Sequence, residues 1–471
     1  YRLFEQLQLS TRAAAVGALL FGIHPMHVES VAWITERKDV LYGALYFGVL
    51  LAYVRYTRNP SARKFFFVAL ALFALSLLAK IQAVALPLSM LLVDYYFKRR
   101  PTPKLFIEKI PFFVLSLVVG IIGVFVLAKT GTLNQSAHTT LIDRLLLGAY
   151  AFWVYALKAA VPYELSPVYT HPAVTLVVYL PFLASLALVW WLWREHRRGN
   201  RAIVFGFLFF AVNIVFVLQV LAAGQGFLAD RYTYVAYFGL FFLVVTCLQR
   251  AVRADTLPYI SVATCIYMVV LAGMTWKQCA IWENGETLWS DVMQHIPTNP
   301  LPYLQRGVYY RSLAEGLPEQ APTWYGKALA DFDRAVQLVD AAADAKSEKI
   351  TAHNDRAKTL FEMARPEDAI IDYTKVIGLD PSYPQAYVNR AAAYAKTGQR
   401  ELALADLNRA LTLQPNSPGA FYTRGLLYME MSQYNLAIRD FDSYLGIDST
   451  SIEAIAAREE AKQKLQQSHQ Q

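Results

Sequence analysis

Nine long apolar runs occupy the first 279 residues, and they constrain the chain more than any other feature. They lie at about 11–23, 40–54, 65–79, 81–97, 106–128, 173–193, 202–222, 232–248 and 258–275. A helix that crosses a bilayer upright needs ~20 apolar residues, so the shorter runs must extend into their flanks. The stretch 65–97 is too long for one span, and Lys80 divides it. A lysine at mid-membrane is costly, so two helices with Lys80 at the turn are expected. The composition agrees: 17% of residues are charged and 56% hydrophobic, where a soluble domain carries about 25% charged residues. These values exclude an ordinary soluble enzyme and a disordered chain. Cys247, Cys265 and Cys279 form neither a disulfide framework nor a Cys-x-x-Cys metal pair. The chain opens on Tyr1 without a signal-peptide layout and reads as N-terminally incomplete.

The net charge of +8 conceals two opposed parts. Residues 1–279 hold 25 Lys/Arg against 11 Asp/Glu, and 280–471 hold 19 against 25. A basic excess beside apolar runs marks cytoplasmic loops, not a nucleic-acid surface. Four basic loops carry it: Arg55 to Lys64, Lys98 to Lys104, Arg194 to Arg201, and Arg250 with Arg253. Placing all four inside leaves loops 24–39, Lys80, 129–172 and 223–231 outside. Residues 145–161 would invert this scheme as a span. They are therefore expected as an interfacial helix, with Lys158 reaching toward headgroups. Everything after Thr275 is then expected outside the cytoplasm.

From Ser347 the sequence repeats every 34 residues, as 347–380, 381–414 and 415–448. Small residues recur at Ala357, Ala391 and Gly425, and again at Ala369, Ala403 and Ala437. Large ones follow at Tyr373, Leu407 and Phe441, and Pro381 and Pro415 close two units. Small residues let paired helices approach, large ones fill the groove, and proline stops the second helix. This pattern resembles the tetratricopeptide repeat. An earlier unit, 297–346, carries a 16-residue insertion near 313–326. The repeats are expected over 280–450 and a polar capping helix and tail over 451–471, since solenoids need caps. The expected fold is all-α: a polytopic membrane helical bundle followed by a tetratricopeptide-repeat α-solenoid. A solenoid groove implies a protein or peptide partner.

Ionisable residues near membrane depth are candidates for function. The first external loop holds His24, His27, Glu29, Glu36, Arg37, Lys38 and Asp39. If 28–38 is one helix, Glu29, Trp33 and Glu36 share a face. Two carboxylates beside an aromatic suit a sugar, and Arg37 and Lys38 suit a phosphate. The alternatives are a merely solvated loop, or a divalent metal on His24, His27 and Glu29. A second cluster is Asp230, Arg231 and Tyr232, where Arg231 either grips a lipid phosphate or anchors the interface. Lys80 needs an anion or snorkels. A further set is Lys158, Tyr163, Glu164, Tyr169 and His171. No phosphate-binding loop, serine-hydrolase elbow or dinucleotide fingerprint is present.

The runs HPMHVESVAWITERKDVL, LLAKIQAVALPLSMLLVD, LSPVYTHP and ADRYTYVAYFGLF, followed by the repeats, resemble the bacterial relatives of the TMTC-type family, which implies a place in the bacterial inner membrane. These are transmembrane and tetratricopeptide-repeat O-mannosyltransferase-like proteins of the GT-C glycosyltransferase superfamily. The resemblance implies transfer of a sugar from a polyprenyl-phosphate donor to a hydroxyl of a protein or other acceptor, without a nucleotide-sugar site. It implies donor-phosphate contacts for Arg231, Lys80, Arg37 and Lys38. It implies acceptor or sugar contacts for His24, His27, Trp33, Asp230 and Tyr232, with Glu29 and Glu36 as carboxylate candidates. Neither a metal nor another cofactor is expected. The sequence departs from the family at Ile81-Gln82 and Ala236-Tyr237. The family's catalytic acidic residue belongs to a loop expected upstream of Tyr1. The rival expectation is a non-catalytic membrane scaffold whose solenoid assembles proteins.

Overall fold

The computed structural model describes residues 1–129, 140–170, 172, 176–218, 227–253, 255–343 and 345–468. His171 lies outside them. The described residues form helices and no strands, in two compact units, Tyr1–Asn284 and Gly285–Gln471.

In the first unit every apolar run becomes a helix. The short α1 (Arg2–Gln6) leads into α2 (Thr11–Ile23), which the Ser10 side chain caps. Pro25 then opens a 3-10 turn, and α3 (Val28–Ala32) leaves α2 at 53°. Next come α4 (Arg37–Arg58), α5 (Lys64–Ala79) and α6 (Leu86–Tyr96). Lys80 stands at the break after α5, as its charge requires. Then follow α7 (Pro103–Ile107), α8 (Ile110–Lys129), α9 (Leu141–Lys158), α10 (Leu176–Arg197), α11 (Arg201–Ile214), α12 (Tyr237–Ala251) and α13 (Leu257–Ile281).

Length limits the nine expected spans. Among the described residues four helices are long and apolar enough to cross a membrane: Ile34–Arg58, Pro103–Lys129, Val177–Arg197 and Leu257–Ile281. The bent pair Thr11–Ile23 with Pro25–Ala32 makes a fifth. Lys64–Ala79, Ile81–Tyr96, Arg201–Val217 and Tyr237–Ala251 are apolar but shorter. α8, α10 and α13 turn large apolar side chains outward: Leu117, Ile121 and Phe125; Leu183, Leu186 and Val189; Tyr259, Ile266 and Val269. A protein surrounded by water on all sides rarely exposes such faces.

The core is aromatic, with Phe205, Phe209 and Phe210 of α11 against Tyr237, Phe241 and Phe242 of α12. The two backbones meet at Gly206 and Gly239, where a Cβ on Gly239 would stand 2.5 Å from the Gly206 carbonyl. Small residues allow such approach in lipid-facing bundles. Tyr46 of α4 links three helices: its hydroxyl donates to Asn213 Oδ1 of α11 and lies hydrogen-bonded to the Ser89 hydroxyl of α6, each at 2.7 Å. Near the other end of α4, Tyr53, Asp94, Arg99, Glu108 and Lys109 close a network. The fully buried Lys109 ammonium lies 2.7 Å from Asp94 and 2.8 Å from Glu108. Arg99, in the second basic loop, turns inward onto Asp94 and Glu108.

The second unit is a stack of antiparallel pairs. After α14 (Gly285–His295) come α15 (Pro300–Gly316) with α16 (Ala321–Ala341), and α17 (Lys346–Glu362) with α18 (Pro366–Leu379). The pairs α19 (Pro384–Lys396) with α20 (Arg400–Leu413) and α21 (Pro418–Glu430) with α22 (Tyr434–Leu445) follow, then α23 (Ile452–Ser468). The insertion lengthens helices instead of making a long loop: α15 and α16 have 17 and 21 residues, α19 and α20 have 13 and 14. Phe441 fills the space over Gly425, where a Cβ would come within 2.7 Å of its ring. α23 continues the first-helix register, because the buried Ala352, Ala386 and Ala420 recur as Ala454. Where Ala357, Ala391 and Gly425 receive a second helix, α23 has the exposed Glu459. An acidic side chain there suits a solvated end.

A buried charge cluster as the candidate site

Residues 28–38 do not form the single helix expected. α3 stops because Trp33 is extended (φ −76°, ψ 114°), and a 3-10 turn over Ile34–Glu36 follows before α4. The shared face of Glu29, Trp33 and Glu36 is therefore lost. Glu29 and Glu36 are brought together instead by Arg231, which arrives from the 3-10 turn Asp230–Thr233.

Arg231 pairs with the Glu29 carboxylate through Nη1, and its backbone N–H donates to Glu29 Oε2 at 2.8 Å. Its Nε lies 3.7 Å from Glu36. The guanidinium sits 5.4 Å from the Trp33 ring centre and 5.1 Å from that of Tyr232. Lys80 pairs with Asp39, at the start of α4, and lies 3.6 Å from Glu36. Ser30 donates to the other Asp39 oxygen at 3.1 Å. Lys38 is 3.4 Å from Glu36. Three cations thus surround Glu36, yet its buried Oε2 has no hydrogen-bond partner among the described residues. Arg37 faces solvent and makes no ion pair among the described residues.

A second focus adjoins the first through Asp230. The Lys158 ammonium, expected at the headgroups, is buried; it donates to Tyr169 at 2.7 Å and to the Glu164 carbonyl at 3.0 Å, and lies 3.8 Å from Asp230. Tyr169 donates to Asp230 at 2.6 Å. Burial raises the Asp230 carboxyl to about 6, with Lys158 and the Tyr169 hydroxyl restraining the rise. Glu29, Glu36, Asp39 and Asp230 together balance Lys38, Lys80, Lys158 and Arg231. An added anion therefore has to displace a carboxylate or arrive with a proton.

His24 and His27 stand apart from these charges, in a box with Phe21, Tyr234, Tyr237 and Phe241. Met26 N–H donates to His24 Nδ1, which leaves His24 Nε2 to donate to the Ala159 carbonyl at 3.3 Å. His27 Nδ1 donates to the Phe21 carbonyl at 2.7 Å, and its buried Nε2 has no hydrogen-bond partner among the described residues. Each histidine and Glu29 thus turns to its own partner. Among the described residues no group of three or more His, Cys, Asp and Glu is placed to hold a metal ion. Ser30 was not singled out from the sequence, since nothing local distinguishes a serine that orients an aspartate nine residues on.

The second unit contains a periodic feature that the small-and-large pattern missed. Arg356, Arg390 and Arg424 each clamp the aspartate 16 residues ahead, Asp372, Asp406 and Asp440, through Nε and Nη2 at 2.7–2.8 Å. Arg306 holds Asp331 in the same two-pronged way across the longer unit. The 34-residue spacing of these arginines and aspartates was readable in the sequence.

Comparison with known proteins identifies the repeats. Residues 390–462 match the family described as tetratricopeptide repeat, and 310–414 match the bacterial transcriptional activator domain. No curated protein matches the chain. Among solved structures, the chain is similar to the second tetratricopeptide domain of human RPAP3 in complex with an HSP70 peptide. That match has 27% identity, 25% of this chain, 98% of that chain and TM-score 0.24. The Arabidopsis OM64 domain is 21% identical over 25% of this chain and 98% of its own, with TM-score 0.25. MamA from Desulfovibrio magneticus is 17% identical over 37% and 92%, with TM-score 0.31. The chain is a tetratricopeptide-repeat-containing protein, with the repeats in its second unit.

Proposed function

We propose that this protein is a membrane-embedded scaffold whose solenoid binds a protein segment. The observation that carries the reading is the uninterrupted series of helix pairs from α15 to α22, braced by one Arg–Asp clamp per pair. Such a stack is stiff along its length and presents an extended surface of first helices, which suits recognition of a chain rather than a small molecule. The outward apolar faces of α8, α10 and α13 support insertion of the first unit. The basic loops favour an inner-membrane orientation with the solenoid outside the cytoplasm. A photo-crosslinker at Leu426, exposed on the first helix α21, is expected to capture protein in cells. One at Ile371, exposed on the second helix α18, is expected to capture less. Equal capture at both positions sinks the reading.

One observation favours a second reading: Arg231, Lys80 and Lys38 converge on Glu36, whose Oε2 lacks a hydrogen bond. A phosphate in the place of that carboxylate would be held by three cations, as a polyprenyl-phosphate sugar donor requires. Glu29 or Glu36, freed from its partners, would then accept the acceptor hydroxyl proton as the lipid phosphate leaves. In a transfer assay with purified protein and polyprenyl-phosphate sugars, Lys80→Ala is expected to lose transfer by a factor of about 10²–10⁴, the range for a lost positioning or charge-stabilising group. Transfer equal to wild type removes the donor assignment.

A further inference from the structure

Helices α2, α12 and α13 do not close on one another near the N-terminal end of α2. A cavity of about 710 Å³ lies between them, within the size range of sites that enclose a small organic ligand. Val16, Leu248 and Met268 contribute to its apolar wall, and Thr11, Arg12 and Gln249 to its polar mouth. Arg12 is exposed and makes no hydrogen bond or ion pair among the described residues. The side chains of Arg250 and Arg253, next in sequence to the lining residues Gln249 and Val252, are exposed and equally free of such partners. Arg12 stands at the start of α2 and Arg250 and Arg253 at the end of α12, whereas Glu29 follows the end of α2 and Arg231 precedes the start of α12.

We propose that this cavity binds one anionic phospholipid, with an acyl chain between α2, α12 and α13 and the headgroup phosphate at Arg12. The apolar bore offers nothing to a hydrated phosphate or a nucleotide. A lipid satisfies both parts at once, since its chain removes the wall from water and its phosphate supplies the counter-ion that the arginines lack. Anionic lipids concentrate in the cytoplasmic leaflet, where loops rich in Lys and Arg reside. The inference rests on the membrane reading of the first unit and concerns a different place from the charge cluster.

Cys265 lines the cavity and reports on it. The full chain carrying Cys247→Ser and Cys279→Ser is reconstituted with vesicles of phosphatidylcholine alone or of phosphatidylcholine with phosphatidylglycerol. Flotation with the vesicles comes first: failure to float sinks the membrane reading itself. In floated protein, phosphatidylglycerol is expected to slow maleimide labelling of Cys265 by about tenfold, as for a site mostly occupied. Arg12→Gln combined with Arg250→Gln and Arg253→Gln is expected to restore the phosphatidylcholine rate. Thr264→Trp, which fills the cavity wall, is expected to slow labelling in both lipids and to abolish the difference. Equal labelling in the two lipids overturns the proposal. So does protection that the triple arginine variant leaves intact, because a protein segment or a neutral lipid would then be the occupant.

Discussion

Arg231→Ala is expected to destabilise the first unit by about 3–5 kcal/mol, the range for removing one partner of a buried ion pair. The Glu29 carboxylate is 3% exposed, and the arginine side chain is its ionic partner. Without it, Glu29 keeps the Arg231 backbone N–H but loses the charge that made its burial tolerable. The same change removes the cation between Trp33 and Tyr232 and one of three cations around Glu36. Thermal unfolding of the purified protein in detergent measures the loss, and a double-mutant cycle with Glu29→Gln apportions it. The double variant should recover a large part of the stability, because a neutral amide no longer needs the guanidinium. Arg231→Lys should recover little, since an ammonium cannot reproduce the fork at Glu29 together with the approach to Glu36. If Arg231→Ala unfolds with wild type, the pair contributes nothing and the cluster is a solvated loop. Under the sugar-transfer reading the cost appears twice, in stability and in turnover, whereas a pure scaffold loses stability and keeps partner capture at Leu426.

The helices were legible because their signals are local. Each apolar run became a helix, and Lys80 fell at a break, since a charge inside a run raises its cost wherever the run sits. The repeats were legible because the same small and large residues return every 34 positions. What was not legible is long-range pairing. Glu29 meets Arg231 across 202 positions and Lys80 meets Asp39 across 41, and no spacing rule joins such residues. A single helix over 28–38 is interrupted because one extended residue, Trp33, ends α3, and periodicity does not reveal such a residue. Lys158 was placed among headgroups because a lysine near a helix end usually snorkels. Its inward turn depends on Tyr169, 11 positions on, and on Asp230, which the sequence puts far away.

Asp372→Ala is expected to weaken the pair α17–α18 by about 3 kcal/mol, the low end for a buried ion pair, because its partners keep other contacts. Asp372 is 1% exposed and accepts from His353 Nδ1 at 2.8 Å and from Arg356 Nε and Nη2 at 2.7 Å. After the substitution Arg356 retains Asp333 at 3.0 Å and His353 retains Asp340 at 3.2 Å. Each repeat of a solenoid touches only its neighbours, so the damage stays local. Amide exchange in α17 and α18 should quicken by roughly two decades, at about 1.4 kcal/mol per decade, while α21 and α22 change little. Asp406→Ala and Asp440→Ala should cost less, because each of those carboxylates accepts from one arginine and no histidine. The pH dependence has a fixed sign. Burial alone would raise the Asp372 carboxyl, but the hydrogen bonds from His353 and Arg356 outweigh it and hold the folded value below the ordinary 3.8. A carboxyl lowered by folding stabilises above its unfolded pKa, and the contribution disappears as pH falls through the folded pKa. Wild-type protection in α17 and α18 should therefore drop on acidification below about pH 4, while Asp372→Asn should lack that component of the drop. Equal acid sensitivity in both proteins would mean that the clamp carries no net energy and that the stiffness assigned to the solenoid rests on its apolar contacts alone.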